Sequence, residues 1–154
     1  MTPEDLLAAV MAVEPRAGRR EPCDRLAVGV PTDALFPLMR KLHDDPRLAF
    51  DMLCTHTGVD YPSENRIELV YQLYSVKHRH YLMVATSVKR DAPEAPSVSP
   101  IWRIAEWHER EVYDLLGVLY SGHPDLRRLF LDDQWQGFPL RKDYKDDFML
   151  ERPE

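Results

Sequence analysis

The stretch that decides the fold is RIELVYQLYSV, Arg66–Val76, followed three residues later by HYLMVATSV, His80–Val88. Both runs are rich in valine, isoleucine, leucine, tyrosine and threonine, and a short polar segment separates them. This arrangement is typical of an antiparallel β-hairpin. Both alternation phases are largely apolar, so we expect helices to cover one face and another element to cover the other. The two phases are Ile67, Leu69, Tyr71 and Leu73 against Val70, Tyr74 and Val76.

A helix and a strand are predicted near the N-terminus. Thr2 is a suitable N-cap, Pro3 suits the first helical position, and two acidic residues follow in the first turn. Leu6 and Val10 are four residues apart, and we expect the helix to end before Pro15. Apolar residues then alternate with small ones over residues 26–30, which predicts a short strand.

A second helix and a further strand are predicted before the hairpin. The helix covers residues 32–43, and Pro37 inside it predicts a late start or a kink, because proline lacks a backbone donor and crowds the preceding turn. The strand covers residues 49–57. The glycine and proline of TGVDYP, residues 57–62, are expected to end it.

The region after the hairpin predicts a loop and a long helix. DAPEAPSVSP, residues 91–100, holds three prolines and is expected to be an exposed loop. Ser99 as N-cap and Pro100 at the first position predict a helix that runs to Leu116 and stops at Gly117. Its apolar stripe would be Ile101, Ile104, Ala105, His108, Val112, Leu115 and Leu116. VLY, residues 118–120, suggests a short strand, and periodicity is lost beyond Ser121.

These elements predict an α+β protein with a small mixed sheet centred on the hairpin and packed with helices. An irregular C-terminal tail follows. We divide the chain into a domain over residues 1–131 and an extended, partner-docking tail over residues 132–154. The order of the strands does not follow from the sequence.

Composition limits the classes of function. A chain of 154 residues is one ordinary domain, and its net charge of −6 with no basic stripe disfavours a nucleic-acid partner. No apolar run is long enough to span a bilayer, and the start, MTPEDLLAAV, does not resemble a signal peptide. The two cysteines, Cys23 and Cys54, indicate no disulfide framework, so we expect a reducing compartment.

Several acids and a histidine in the long helix and the turn after it are candidate catalytic groups. Glu111 and Asp114 share a helical face with Glu109 nearby, an arrangement that could support acid–base chemistry, hold a metal, or form a solvated or partner-facing charge network. The charge network is favoured. His108 lies on the apolar stripe without the spacing of a zinc-binding HExxH motif, and His123 before Pro124 suits a hydrogen-bonding role.

Cofactor motifs are absent from the sequence. The six glycines form neither GxGxxG nor GxxxxGK, and an iron–sulfur cluster normally takes four thiolates where this chain has two cysteines. Serine and cysteine nucleophiles also lack a recognisable context. We therefore expect no cofactor in this chain.

The motifs together resemble one family. The span Glu109–Leu131 with GHPDLRR, and the span Trp135–Tyr144 with PLRKDY, are similar to the C-type (30 kDa-type) subunit of proton-translocating NADH:quinone oxidoreductase, respiratory complex I. TGVDYP, ELVYQLYSVKH and PSVSPIWRIAEWHERE extend the resemblance over residues 44–144. Leu116 stands where phenylalanine is expected and Phe130 where an aliphatic residue is usual. Some relatives also have a longer C-terminal extension.

The resemblance implies a structural and assembly role. The C-type subunit belongs to the hydrophilic arm, carries no flavin or iron–sulfur cluster, and packs against the large D-type subunit that helps shape the quinone site. Flavin, clusters and quinone are then expected in partner subunits. It also implies peripheral placement on the cytoplasmic side of the inner membrane. Equivalent subunits of membrane-bound hydrogenases or ferredoxin-linked complexes are an alternative, and a stand-alone enzyme built on the carboxylates and His123 is the remaining one.

We expect two sets of residues at the partner interface. In the first, Glu109, Glu111 and Asp114 anchor Arg127 and Arg128 or a partner, because carboxylates and guanidinium groups form directional pairs. In the second, the tail lies in a groove on another subunit, although packing on its own domain is the alternative. The predicted interface residues are Glu109, Glu111, Asp114, His123, Asp125, Arg127, Arg128, Trp135, Arg141, Lys142, Asp143 and Tyr144.

Overall fold

The computed structural model describes residues 2–21 and 24–147, and within them the chain forms the predicted α+β fold. The helices and longer strands are joined by turns, with a short 3-10 helix at Pro62–Glu64. In chain order the elements are α1 (Pro3–Val13), β1 (Gly18–Arg19), β2 (Ala27–Gly29), α2 (Thr32–Asp44), β3 (Met52–Tyr61), β4 (Arg66–Ser75), β5 (His80–Lys89), β6 (Glu94–Pro96), α3 (Ala105–Leu116) and β7 (Leu119–Ser121).

The hairpin prediction is confirmed. Strands β4 and β5 pair antiparallel from Arg66 opposite Lys89 to Ser75 opposite His80. One face of β4 is fully buried at alternate positions, whereas the other face, with Val70 and Tyr74, is half-buried. Only one face of strand β4 is therefore fully covered by other elements. The fully buried residues are Ile67, Leu69, Tyr71 and Leu73.

The main sheet is mixed, as expected, with strand order β1-β2-β5-β4-β3. Strand β2 runs parallel to β5, and the other pairs are antiparallel. Helix α3 packs against β3, and helix α2 packs against β5 and β6. This places α3 beside the edge strand, where it can contact the C-terminal segment.

The two N-terminal helices follow the predictions closely. Thr2 and Asp5 form a reciprocal capping box, and Leu6 and Val10 are the buried pair of α1. Helix α2 begins at Thr32 and contains Pro37, so the expected late start is wrong. The proline costs one backbone hydrogen bond, which the burial of five apolar side chains of α2 offsets.

The strand predicted over residues 49–57 begins and ends later than expected. Ala49 has a positive φ of 44° in a turn, so the strand starts at Met52, and it runs through TGVDYP to Tyr61. Gly58 lies within the strand, at a point where a Cβ would be 2.5 Å from Leu116 Cδ1 of α3. Close helix packing, rather than a turn, accounts for this glycine.

The exposed loop predicted at DAPEAPSVSP is wrong. Residues Glu94–Pro96 form strand β6, which pairs parallel with the predicted strand β7, and Ala95 and Val98 are buried. The partner of β6 lies beyond α3 in the chain, so local composition does not indicate the pairing.

The predicted helix start at Ser99 is also wrong. Helix α3 begins at Ala105, and Ser99 Oγ lies 2.7 Å from Ser97 Oγ instead of capping a helix. The C-terminal stop at Gly117, with φ of 80°, is confirmed. Only part of the predicted stripe is buried, since Ile104 is 49% exposed while three charged residues of α3 are buried. Those residues are Glu109, Arg110 and Asp114.

Candidate functional site

The centre of the site is the Asp114 carboxylate on α3, whose side chain is fully buried. Arg128 donates to Oδ1 at 2.8 Å. The backbone N–H groups of Leu129, Phe130 and Leu131 donate to Oδ2 at 3.1, 2.7 and 3.0 Å. Burial works to raise the pKa of Asp114, but these donors hold that pKa below its usual value. The carboxylate therefore anchors the chain after β7 to the helix.

Two arginines complete this anchor from opposite directions. Arg110 on α3 donates to the carbonyls of Arg127 at 3.1 Å and Arg128 at 2.9 Å. Arg128 in turn donates to the carbonyl of Trp135 at 3.0 Å. Arg110 thus donates from the helix to the segment after β7, and Arg128 donates from that segment to Asp114 on the helix.

The predicted pairing of three acids with two arginines is correct only for Asp114 and Arg128. Arg127 is exposed and pairs with Asp125 at 2.9 Å. Glu109 points instead to the chain before α3, and Glu111 is half-buried with no contact to either arginine among the described hydrogen bonds and ion pairs. Helical position alone does not show which acid meets which base.

Glu109 binds the end of strand β6. Its Oε1 accepts from the Val98 N–H at 2.7 Å, and its Oε2 lies 2.6 Å from Ser97 Oγ. Burial raises the pKa of Glu109 to about 7, although the bonds from Ser97 and Val98 oppose that rise. This acid therefore differs from Asp114 in its partners and in the direction of its pKa shift.

His123 has the hydrogen-bonding role suggested by its place before Pro124. Its Nε2 donates to the Glu106 carbonyl at 3.0 Å, and its Nδ1 accepts from the Asp125 N–H at 3.0 Å. Nε2 is 3.9 Å from Glu109 Oε2, which is too long for a hydrogen bond. The ring closes the turn after β7.

A second anchor, not predicted from the sequence, holds residues 142–143 in place. Arg90 donates to both oxygens of the buried Asp60, at 2.7 and 3.1 Å, and also pairs with Asp143. The Lys142 N–H donates to Asp60 at 2.9 Å. Burial opposes ionisation of Asp60, yet Arg90 and Lys142 keep its pKa below the usual value. No local feature indicated this anchor, because Asp60 lies in TGVDYP, which was expected to end the strand.

The segment between these anchors packs on the C-terminal end of α3. Leu140 N–H donates to the Leu115 carbonyl at 3.0 Å, and Arg141 Nε donates to the Leu116 carbonyl at 2.8 Å. Phe138 lies against Gly117, where a Cβ would be 2.5 Å from the ring. The described part of the tail, which ends at Asp147, thus packs against its own domain. The interface role predicted for the tail stays a prediction.

Tyr144 and Trp135 lie close together within the described part of the tail. Tyr144 packs beside Gly137, where a Cβ would lie 3.0 Å from its ring, and its hydroxyl donates to Asp146 at 3.1 Å. Trp135 is half-buried and lines a shallow surface depression with Tyr144. The segment from residue 135 to 146 therefore folds back on itself.

The charged residues so arranged serve mainly to hold chain segments in place. Over residues 2–21 and 24–147 there is no group of three or more histidine, cysteine, aspartate or glutamate side chains that could hold a metal ion. The same part of the chain contains no helix long and apolar enough to cross a membrane. Glu109, Asp114 and His123 bind three different partners: the Val98 N–H, Arg128 and the Glu106 carbonyl.

Apolar side chains remain exposed beside the first anchor. Trp107 is 56% exposed and Phe130 66% exposed. Arg110 links them, since its guanidinium lies 5.2 Å from the Trp107 ring centre and holds the chain just before Phe130. Ile104, the residue just before α3, lies three positions before Trp107 and is also exposed. We call Ile104, Trp107 and Phe130 the α3 apolar patch.

Fold and contacts together define a class of protein: an α+β domain that uses buried acids to hold an extended C-terminal segment against itself. A family model described as "Respiratory-chain NADH dehydrogenase, 30 Kd subunit" matches residues 28–147. The chain therefore belongs to the 30 kDa subunit family of respiratory-chain NADH dehydrogenase.

Curated relatives support this assignment. The C-type subunit of NADH-quinone oxidoreductase from Chlorobium phaeobacteroides is 48% identical over 105 residues, which are 68% of this chain and 63% of that protein. Its counterpart from Chloroherpeton thalassium is 45% identical over 105 residues, and that match covers 68% of this chain and 43% of the relative. The chain thus spans less than two thirds of both. The counterpart from Moorella thermoacetica is 43% identical over 82% of this chain and 84% of its own length.

Solved structures share the fold. One chain of the membrane-bound sulfane sulfur reductase, an archaeal respiratory membrane complex, superposes with a TM-score of 0.78 at 30% identity, covering 92% of this chain and 85% of that chain. A trypsin-resistant fragment (1–134) of Nqo5 superposes with a TM-score of 0.67 at 27% identity, covering 80% and 98%. Both support the family assignment.

Proposed function

We propose that this chain is a component of the hydrophilic arm of proton-translocating NADH:quinone oxidoreductase, where it helps to assemble and hold the arm. The observation that carries the proposal is the family match over residues 28–147. Support also comes from the relatives, which are named as C-type subunits of NADH-quinone oxidoreductase. Electrons then pass from NADH to quinone through neighbouring subunits.

In this proposal the chain holds no flavin, iron–sulfur cluster or quinone of its own. The contacts support a scaffold role, because the buried acids of α3 and β3 are committed to Arg128, Arg90 and backbone N–H groups. A catalytic acid or base needs free access to a substrate atom. Asp114 and Asp60 lack that access, since both side chains are fully buried.

We further propose that the α3 apolar patch contacts the large D-type subunit. Large aromatic side chains beside an arginine are typical of interface hot spots. Trp107 next to Arg110 has this composition, and the buried Asp114 anchor fixes the neighbouring Phe130 backbone. The predicted interface residues of the tail, Trp135 and Arg141–Tyr144, would extend the contact. The chain would then lie peripherally at the cytoplasmic side of the inner membrane and meet the membrane only through the assembled complex.

Co-purification with subunit identification tests the proposal. The tagged chain is expected to recover a homologue of the large D-type subunit together with the flavin-containing NADH-oxidising subunits. Recovery of no other respiratory subunit would contradict the proposal, as would a stoichiometric metal or chromophore bound to the chain alone.

Surface variants test the interface. Replacing Trp107 with Ser should weaken binding to the large D-type subunit by roughly 30-fold, because truncating a buried interface aromatic costs about 2 kcal/mol. Val76→Ser is the matched control, since Val76 is 53% exposed in the turn between β4 and β5. Equal affinities for the two variants would place the interface elsewhere.

A second candidate parent complex is supported by one observation, the TM-score of 0.78 with a chain of an archaeal membrane-bound sulfane sulfur reductase. An equivalent subunit of a related membrane-bound hydrogenase or ferredoxin-linked complex would share the fold. The co-purification distinguishes the two, because such a complex would lack the NADH-oxidising subunits.

A further inference from the structure

Glu109 joins helix α3 to the chain that precedes it. The side chain is fully buried, and its two oxygens contact Val98 N–H and Ser97 Oγ at 2.7 and 2.6 Å. Ser97 directly follows strand β6, and Val98 carries the turn in which Ile101 and Trp102 donate to its carbonyl. One carboxyl group therefore holds the end of β6 and the turn before α3.

No cation compensates Glu109 within the described residues. His123 Nε2 is 3.9 Å away, but the ring accepts a hydrogen bond from Asp125 N–H at Nδ1. Nε2 donates instead to the Glu106 carbonyl at 3.0 Å. Both ring nitrogens of the nearest basic group are thus hydrogen-bonded to other partners.

Groups on the other elements around Glu109 do not supply a positive charge either. Tyr71 on β4 and Tyr120 on β7 are fully buried phenols whose pKa values burial raises, with the charge of Glu109 adding to the rise. His56 on β3 contacts both tyrosines, and burial lowers its pKa to about 3. Glu106 on α3 has the same sign as Glu109 and raises the pKa of Glu109 further.

The hydroxyl groups beside Glu109 can exchange donor and acceptor roles. Ser97 Oγ lies 2.6 Å from Glu109 Oε2 and 2.7 Å from Ser99 Oγ, and either serine can donate in the second contact. Ser99 is partly exposed. A hydroxyl rotates about its C–O bond, so this pair accepts from a neutral carboxyl group and donates to an ionised one. It also links the buried acid to solvent.

We propose that Glu109 is a proton-operated latch between helix α3 and segment Ser97–Ser99. In the neutral form its carboxyl O–H donates to Ser97 Oγ while the other oxygen accepts from Val98 N–H, and the end of β6 is held firmly. When the proton leaves to water through the two serine hydroxyls, a buried carboxylate without a cation remains. Its desolvation cost then favours opening of the latch, although Ser97 and Val98 still donate to it. The latch operates in the single chain and does not depend on the proposed partner.

The direction of the pH dependence follows from the pKa of Glu109, which rises from 4.5 to about 7 on folding. The stabilisation of the folded state by neutral Glu109 is fully present below pH 4.5 and is lost as the pH rises through about 7. The reason is that Glu109 in the unfolded chain loses its proton at a lower pH than Glu109 in the folded chain. A shift of this size changes the unfolding equilibrium constant on the order of a hundredfold. Stability should therefore fall from pH 5 to pH 8.

Urea unfolding of the full chain between pH 5 and pH 8 tests the latch. Glu109→Gln keeps an oxygen for Val98 N–H and an N–H donor for Ser97, so it should remove most of the fall in stability and exceed the wild type at pH 8. Glu106→Gln, which removes a carboxylate one turn earlier on α3, should retain most of the fall, because burial rather than Glu106 is the main cause of the raised pKa of Glu109. Parallel pH profiles for the wild type and Glu109→Gln would overturn the proposal.

A measurement on the wild type covers the case in which Glu109→Gln does not fold. The ¹³C chemical shift of the Glu109 carboxyl carbon is expected to titrate near pH 7. Amide exchange of Val98, corrected for intrinsic rates, should accelerate over the same interval. A carboxyl titration below about pH 5, near the ordinary value for glutamate, would show that the folded protein holds an ionised Glu109 and would overturn the latch.

Discussion

Arg128 lies 2.8 Å from Asp114, and this ion pair closes a loop of chain that starts at the end of α3 and returns to the helix. The two residues are 14 positions apart. Asp114 also accepts from three consecutive backbone N–H groups, so the carboxylate acts as the fixed point of the segment after β7. Four donors on one buried carboxylate make it a strong determinant of stability.

Replacing Asp114 with Asn should destabilise the protein by about 3–5 kcal/mol, because it leaves the Arg128 guanidinium without its charge partner in a largely buried site. Urea denaturation measures the loss. Asp125→Asn is the matched control, since Asp125 forms an exposed pair with Arg127 and its loss should cost less than about 1 kcal/mol. A loss below about 1 kcal/mol for Asp114→Asn would mean that the anchor is open in solution.

The two adjacent arginines should respond differently to the same change. Arg128→Lys should cost about 1.5–3 kcal/mol, because one ammonium group cannot reach both the Asp114 carboxylate and the Trp135 carbonyl. Arg127→Lys should stay within about 0.5 kcal/mol, since that side chain is exposed. Equal unfolding midpoints in urea for both variants would contradict the asymmetry.

Docking of Phe138 on the helix end can be tested at two glycines with the same backbone conformation. Gly117 and Gly122 both have φ of 80°, but a Cβ on Gly117 would meet Phe138 at 2.5 Å and a Cβ on Gly122 would meet nothing within 4 Å. Both alanine variants are destabilised by the left-handed backbone conformation at the substituted position. Only Gly117→Ala displaces the ring, so it should lose roughly 1–3 kcal/mol more in urea unfolding.

Similar losses for both alanine variants would show that Phe138 does not rest on Gly117 in solution. Limited proteolysis gives a second measurement, because displacement of Phe138 should expose residues 132–147 to cleavage at a lower protease concentration. The Gly122→Ala protein should be cleaved like the wild type.

Two buried tyrosines beside His56 should respond in opposite directions to loss of the hydroxyl. Tyr71 Oη is buried without a hydrogen-bond partner in the described residues, so Tyr71→Phe should leave stability unchanged or raise it by up to about 1–3 kcal/mol. Tyr120 donates to His56 Nε2 at 2.6 Å, and Tyr120→Phe should cost about 1–3 kcal/mol. Thermal unfolding compares the two, and a clear loss for Tyr71→Phe would mean that its hydroxyl is bonded.

Elements specified by neighbouring residues were predictable. The capping box joins Thr2 to Asp5 only three positions away, and the hairpin shows its strand-forming composition and its short connection within one stretch of chain. The stop of α3 at Gly117 likewise depends on a single residue with a left-handed backbone. In each case the interaction that stabilises the element is local, so the sequence pattern and the structure agree.

Elements that depend on distant chain were not predictable in the same way. Strand β6 was expected to be an exposed loop because DAPEAPSVSP holds three prolines, and its partner, β7, follows only after helix α3. TGVDYP was expected to end a strand, yet Gly58 is required by the approach of Leu116 from α3. Composition indicates which structures a segment can adopt in isolation, whereas packing against another element decides which of them it adopts.

By itself the sequence determined the α+β class, the central hairpin and the presence of acids and arginines around helix α3. Only the tertiary structure decided which charges meet, because Asp60 and Arg90 are 30 residues apart and Asp60 and Lys142 are 82 apart. The same holds for Glu109 and Asp114, which lie on one helix but have pKa values shifted in opposite directions. Burial without a cation raises the pKa of Glu109, whereas Arg128 and three N–H donors outweigh burial at Asp114.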